Sequence, residues 1–150
     1  MKVTTRGRYG LEVLVALALQ EPGKPVPLKV LTDACGLSET YLVQIFMSLR
    51  RARIVLSVRG SMGGFQLARP ADKITVAQAL EALEGAFHPV ECLDRKRTAC
   101  CPRIELCAAR TFWQEMQARF LSLAGSLSLA ELADCSRAQV RLPSEPDYYL

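Results

Sequence analysis

The sequence predicts a mostly α-helical fold with one small β-hairpin, and three observations lead there. Apolar residues recur at helical spacing through much of the first 85 positions. A β-branched run, Ile54-Val55-Leu56-Ser57-Val58, meets Phe65-Gln66-Leu67 across a glycine-rich turn. A long amphipathic stretch follows a segment that has no period. At 150 residues and 50% hydrophobic, the chain can build one sizeable core, or a small domain with an appended helix.

A first helix is expected from near Arg8, with Leu11, Val13, Leu14, Ala16, Leu17 and Ala18 as its apolar part. Pro22, Gly23 and Pro25 end it by removing amide donors and loosening the backbone. A short second helix fits Leu28 to Ala34, with Leu28, Leu31 and Ala34 at intervals of three, and Gly36 is free to take a left-handed turn after it. Ser38 is a good N-cap for a third helix. Leu42, Ile45, Phe46 and Leu49 form its buried face, leaving Glu39, Thr40, Tyr41, Gln44, Ser48 and Arg51 on the polar side. A short helix, a glycine turn and a capped helix make a helix-turn-helix. The two strand-like runs flanking Arg59-Gly60-Ser61-Met62-Gly63-Gly64 then form a hairpin wing. Thr75 and Gln78 predict a capping box for a helix over Val76 to Leu83, ended by Gly85. Residues 1–85 are therefore read as a winged helix-turn-helix domain.

Residues 86–107 show no clean period, and a structureless run of about 20 residues is uncommon in a compact domain unless it carries function. A long helix is expected from Ile104 or Ala108 to Leu123. Its Phe112, Trp113, Met116, Phe120, Leu121 and Leu123 offer more apolar surface than one small winged domain covers, so dimerisation through this helix is the natural reading. Ser128 with Glu131 caps one last short turn through Leu132. Residues 108–135 are thus a dimerisation helix with a short helical end, and residues 136–150 a loosely held tail.

The charge is uneven. Residues 1–73 carry 11 Lys or Arg against 5 Asp or Glu, whereas residues 74–150 carry 8 against 10. Only the first half has the excess that steers a domain toward a polyanion. On a helix-turn-helix, the second helix enters the major groove of double-stranded DNA and the wing lies on backbone or minor groove. The candidate DNA-reading residues are therefore Ser38, Thr40, Tyr41 and Gln44, then Arg50 and Arg51 at the helix end with Arg53 beyond, and Arg59 at the wing. Gln44 has the side chain for a bidentate bond to adenine; Ser38 and Tyr41 suit phosphate.

The segment before the long helix holds Cys92, Cys101 and Cys107, separated by eight and five residues, with Cys100 as an alternative to Cys101. Thiolates ligate soft metals and iron–sulfur clusters, and this spacing is too open for paired zinc knuckles. Arg95, Lys96, Arg97 and Arg103 are placed to favour thiolates and offset a cluster's charge. Three cysteines leave one coordination position open, for which His88 and a partner subunit's first-helix Glu12 are candidates. Cys35 and Cys135 read as small apolar side chains. No run of 18 apolar residues and no cleavable leader is evident, so a cytoplasmic protein without a membrane span is expected. No hydroxyl–His–carboxylate set, phosphate-cradling motif or paired acids point to an enzyme.

The segments Met1-Lys2-Val3-Thr4-Thr5-Arg6-Gly7-Arg8-Tyr9-Gly10, Leu37-Ser38-Glu39-Thr40-Tyr41-Leu42-Val43-Gln44-Ile45-Phe46, Ser57-Val58-Arg59-Gly60 and Gly63-Gly64-Phe65 resemble the bacterial iron–sulfur transcriptional regulators typified by IscR and NsrR. The resemblance spans about residues 1–135. It implies a homodimer on a dyad-symmetric operator, with Cys92, Cys101 and Cys107 matching the three cluster cysteines. The fourth-ligand positions of two branches fall on Arg110 and Arg8, neither a metal ligand, while a further branch points to Glu12 in trans. The implied cofactor is an iron–sulfur cluster, 2Fe–2S ahead of 4Fe–4S. The alternative is a cluster-free winged-helix regulator that senses thiol oxidation or a small effector.

Overall fold

The first helix begins three residues before the point its apolar run suggests, because it is capped rather than buried there. In a computed structural model describing residues 4–94, 101–102 and 104–141, α1 spans Thr5–Ala18. The Thr4 hydroxyl accepts the amides of Arg6 and Gly7 at 3.2 and 3.4 Å. The second helix, α2 (Leu28–Cys35), buries Leu31 and packs Leu28 and Cys35 on the core. Ala34 is exposed, so the expected Leu28–Leu31–Ala34 face is corrected. Steps of three then four residues, as an α-helix requires, bring Cys35 onto that face instead. Gly36, at φ 63°, makes the left-handed exit.

Ser38 caps α3 (Glu39–Arg51), its Oγ accepting the Tyr41 amide at 3.3 Å, and Leu42, Ile45, Phe46 and Leu49 are buried as the pattern requires. The helix closes through Arg53, whose φ of 55° is left-handed, with the Ile54 amide donating to the Leu49 carbonyl at 2.9 Å. An arginine pays a steric penalty in that conformation that glycine escapes. Arg53→Gly is therefore expected to raise stability by about 1 kcal/mol. Urea denaturation checks it, and a fall in stability would show that the arginine side chain contributes more than its backbone costs.

Strands β1 (Val55–Val58) and β2 (Gly64–Leu67) pair antiparallel, Val55 opposite Leu67 and Val58 opposite Gly64. Phe65 stacks on Phe46 with ring centroids 3.9 Å apart, which fixes the wing to α3. A further pairing comes from before α2: Val26 and Phe65 exchange backbone bonds of 2.8 and 2.9 Å. The chains approach so closely there that a Cβ on Gly64 would lie 2.1 Å from the Val26 carbonyl oxygen, and its φ of 155° also favours glycine.

Helix α4 (Val76–Glu84) carries the complete Thr75–Gln78 capping box, both bonds at 3.2 Å, and Gly85 leaves it at φ 83°. After a short 3-10 turn at Glu91–Leu93 come α5 (Ala108–Ser126) and α6 (Leu129–Arg141). The end of the chain differs from expectation. In place of one short turn and a loose tail from residue 136, α6 continues to Arg141; residues 142–150 lie outside those described. Ser128 and Glu131 cap it reciprocally, and the Ser128 amide and hydroxyl, both donating to the Glu131 carboxylate, hold that carboxyl below its ordinary value. The helix persists because it has a core to join. Leu129 and Ala133 are buried, α6 packs on α1, and the Leu129 amide donates to the Ile74 carbonyl at 2.9 Å. One hydrophobic core thus gathers Val13, Leu14, Leu31, Leu42, Phe46, Ile74 and Leu129 from both ends of the chain. No helix among the described residues is long and apolar enough to cross a membrane.

Candidate nucleic-acid interface and thiol segment

Burying Leu42, Ile45, Phe46 and Leu49 turns the opposite side of α3 outward, and that side carries the candidate reading residues. Thr40, Gln44 and Arg51 are exposed, as is Ser38, whose hydroxyl oxygen is engaged as the cap. Tyr41, Gln44, Met47, Ser48 and Arg51, together with Arg6 from α1, line a hollow of about 250 Å³ on this face. Tyr41 is only half exposed: its ring meets the Tyr9 ring edge-on at 6.2 Å, so it braces α3 against α1. Arg50 is exposed but lies about 120° around the helix axis from Gln44, at about 100° per residue, and so flanks the reading face. Arg59 is exposed at the mouth of the wing.

Three residues absent from the expected reading set belong on this surface. Val43 and Met47 are 39% and 47% exposed on the helix, and both lie outside the 42-45-46-49 stripe, which is the signal that identifies them. Apolar side chains there suit the methyl group of thymine. The third, Arg6, left no mark in the pattern: its guanidinium donates to the Ser48 hydroxyl, an α1–α3 link that only tertiary structure reveals.

The thiols lie elsewhere, in the segment between α4 and α5. Cys92, Cys101 and Cys107 are each half-buried and free, Cys92 in the 3-10 turn and Cys107 at the N-cap position of α5, with no side-chain capping bond. Among the described residues, no three His, Cys, Asp or Glu side chains gather closely enough to hold one metal ion. The three thiols therefore suit a soft metal by chemistry, but they are not assembled around a common point. Cys100, Arg95, Lys96, Arg97 and Arg103 lie outside the described residues. His88 is exposed, and the Gln117 side-chain amide reaches its Nδ1 at 3.1 Å and also donates to the Phe87 carbonyl. Phe87 packs on Phe120 at 4.2 Å, so this end of the segment is fastened to α5. Glu12 is exposed and faces Arg8 at 3.7 Å. Burial first, and the Glu12 charge second, push the Cys35 thiol up, which suits an inert packing role.

Helix α5 is nearly bare. Ala124 is the one buried residue among its 19, while Phe112 and Leu123 are 61% and 62% exposed. A reading head, a wing and a long uncovered apolar helix define a winged helix-turn-helix transcriptional regulator that works as a homodimer on DNA. The comparisons with known proteins specify which kind. The family model Rrf2, described as iron-dependent transcriptional regulator, matches residues 3–135. The protein rrf2 of Nitratidesulfovibrio vulgaris is 37% identical over 132 residues, covering 88% of this chain and 87% of its own. Among solved structures, CymR, the global cysteine regulator of B. subtilis, superposes with a TM-score of 0.74 at 33% identity, covering 90% of this chain and 98% of that one. T. potens IscR does so with a TM-score of 0.74 at 29% identity, covering 99% and 97%. The chain belongs to the Rrf2 family, whose members are transcriptional regulators and not enzymes.

Proposed function

We propose that this protein is a cytoplasmic homodimeric regulator that reads a dyad-symmetric operator in duplex DNA, one half-site per protomer, and that the thiol state of the segment between α4 and α5 sets its grip. Ser38, Thr40, Gln44 and Arg51 read or contact the major groove, with Tyr41 as brace and Arg50 and Arg59 on the flanking backbone or groove. The observation that carries the control half is positional. Three half-buried free thiols occupy the covalent path from the reading core to α5, and Cys107 sits at the N-cap position of that helix. A change in their bonding alters how α5 leaves the core, and so the spacing of two reading heads joined through α5. The likeness to a cysteine regulator supports a thiol-based switch.

A second reading is an iron–sulfur cluster on Cys92, Cys101 and Cys107. The cysteine spacing, the iron-dependent description of the family and the likeness to IscR favour it. When bound, a cluster would make the segment responsive to iron and redox state. The 2Fe–2S form is preferred to 4Fe–4S, with Glu12 of a partner subunit as the candidate fourth ligand.

Anaerobic purification followed by iron and sulfide analysis, with operator affinity measured before and after peroxide, tests both. The thiol switch gives colourless protein whose affinity changes about 5- to 150-fold on oxidation, and Cys107→Ser flattens that response. Coloured protein with stoichiometric iron and sulfide selects the cluster. Equal affinity in every thiol and metal state refutes control by this segment.

A further inference from the structure

We propose that the first turn of α1 is the coupling element between the end of α4 and the reading helix, with Arg6 as the residue that positions α3. Its regulatory half rests on the thiol-segment reading above; its positioning half does not.

The turn is fastened on both sides. Toward α3, the Arg6 guanidinium donates to the hydroxyl of Ser48, which lies one helical turn beyond Gln44. Three residues further along α1, Tyr9 meets Tyr41 edge-on. Arg6 also lines the same hollow as Gln44 and Arg51, so its bond acts at the reading face and not on the buried side of α3. Toward α4, the Thr4 hydroxyl donates to Glu84 Oε1 at 2.5 Å. Glu84 is the last residue of α4, and Gly85 after it opens the segment that carries the cysteines.

The α1–α4 contact has little slack. A Cβ on Gly10 would lie 2.4 Å from Cδ1 of the buried Leu83, so this glycine lets α1 settle directly onto the last turn of α4, while the atom nearest Gly7 is the Glu84 carboxylate end that Thr4 holds. Leu83 is 5% exposed and part of the core, which prevents that turn from sliding free of α1. A displacement of the α4 end is therefore passed to Thr4, through one rigid helical turn to Arg6, and from there to Ser48. Glu84 also lines the α4–α5 cavity of about 420 Å³ with Phe87, His88 and Phe120, where the segment is fastened to α5. The input end of the relay thus lies where movement of α5 would be felt.

The rival explanation for Arg6 is an ordinary phosphate contact, and a double-mutant cycle separates the two. Operator affinity is measured by fluorescence anisotropy for Ser48→Ala, Arg6→Leu and the double variant over a range of salt concentrations. We expect Ser48→Ala, which removes no charge, to weaken binding about tenfold in a dimer carrying two copies of the bond. Arg6→Leu should lose a similar amount, the double variant should lose no more than Arg6→Leu, and the salt slope should stay at its wild-type value. Wild-type affinity in Ser48→Ala overturns the positioning role. So does additivity of the two losses, or a salt slope shallower by about two phosphates per dimer in Arg6→Leu.

The coupling half is read as the ratio of affinities in the reduced and oxidised states. Glu84→Met, which removes the acceptor, should bring that ratio to within about twofold of unity; Thr4→Val should do the same while lowering the melting temperature, because it also removes the α1 cap, and Thr4→Ser should restore both. A ratio that stays at the wild-type value in Glu84→Met and Thr4→Val overturns the coupling. If the wild-type protein itself shows no ratio, the coupling falls with the thiol reading, while the Arg6–Ser48 cycle still decides the positioning.

Discussion

Placing aspartate at both Phe112 and Leu123 is expected to leave a folded monomer that binds its operator about 10²–10⁴-fold more weakly. Both side chains are more than three-fifths exposed in the single chain, and Phe112 meets the Trp113 ring edge-on. Covering the exposed three-fifths of one such side chain is worth about 0.9–1.8 kcal/mol, so the four in a dimer supply about 4–7 kcal/mol, a substantial part of what a stable association requires. Four buried carboxylates without partners reverse the sign of that contribution. Neither residue belongs to the core of Val13, Leu14, Leu42 and Phe46, so the reading head keeps its fold. What is lost is the linkage that makes binding of the second half-site an intramolecular event. Sedimentation equilibrium gives the mass, and anisotropy on full and half operators gives the affinity. A double variant that sediments as a dimer would mean that α5 does not form the subunit interface.

The parts of this molecule that were legible in its sequence are those determined within a few residues. Ser38, Thr75 with Gln78, and Ser128 with Glu131 announce helix starts because a cap closes its bonds within one turn. Gly36 and Gly85 announce helix ends through conformations that other residues resist. The outward face of α3 followed from helical phase alone, and the same phase exposes Val43 and Met47 when that side is read for apolar as well as polar residues. What stayed hidden depends on distant partners. Nothing near Val26 signals that it pairs with Phe65, and nothing near Leu129 signals that Ile74 and α1 await it, so the local pattern predicts a turn and a tail where a full helix forms. Arg6 looked like one more cation on a basic surface until its bond to Ser48 gave it a direction. Cysteine spacing conveys how many thiols share a segment, but not whether the backbone gathers them. The subunit interface could be inferred only as an excess of apolar surface, because the surface that covers it belongs to a second copy.

Gln44→Ala and Arg59→Ala are expected to weaken operator binding in ways that differ in kind. Gln44 stands at the centre of the outward face of α3, one turn before Ser48, where a carboxamide can form two hydrogen bonds with the edge of an adenine. Such a pair discriminates by about 1–3 kcal/mol, and a dyad-symmetric site contains it twice, so Gln44→Ala should lose about 2–6 kcal/mol on the preferred operator. Its affinity for operators changed at that one symmetric base pair should scarcely move, because the bond is absent from them already. Arg59 leaves the wing beside Gly60, exposed and outside the helix phase, and a guanidinium there neutralises phosphate whatever the base sequence. Arg59→Ala should therefore weaken every operator by a similar factor. It should also reduce the slope of log affinity against log salt by about 1.8 for two phosphates per dimer, whereas Gln44→Ala leaves that slope alone. Competition over a set of single-base operator variants at several salt concentrations resolves both effects at once. If Gln44→Ala weakens all sequences equally, α3 lies on the backbone and the base-reading surface has to be sought elsewhere. If Arg59→Ala instead changes sequence preference at an unchanged slope, the wing reads a groove, and the division of labour between helix and hairpin is reversed.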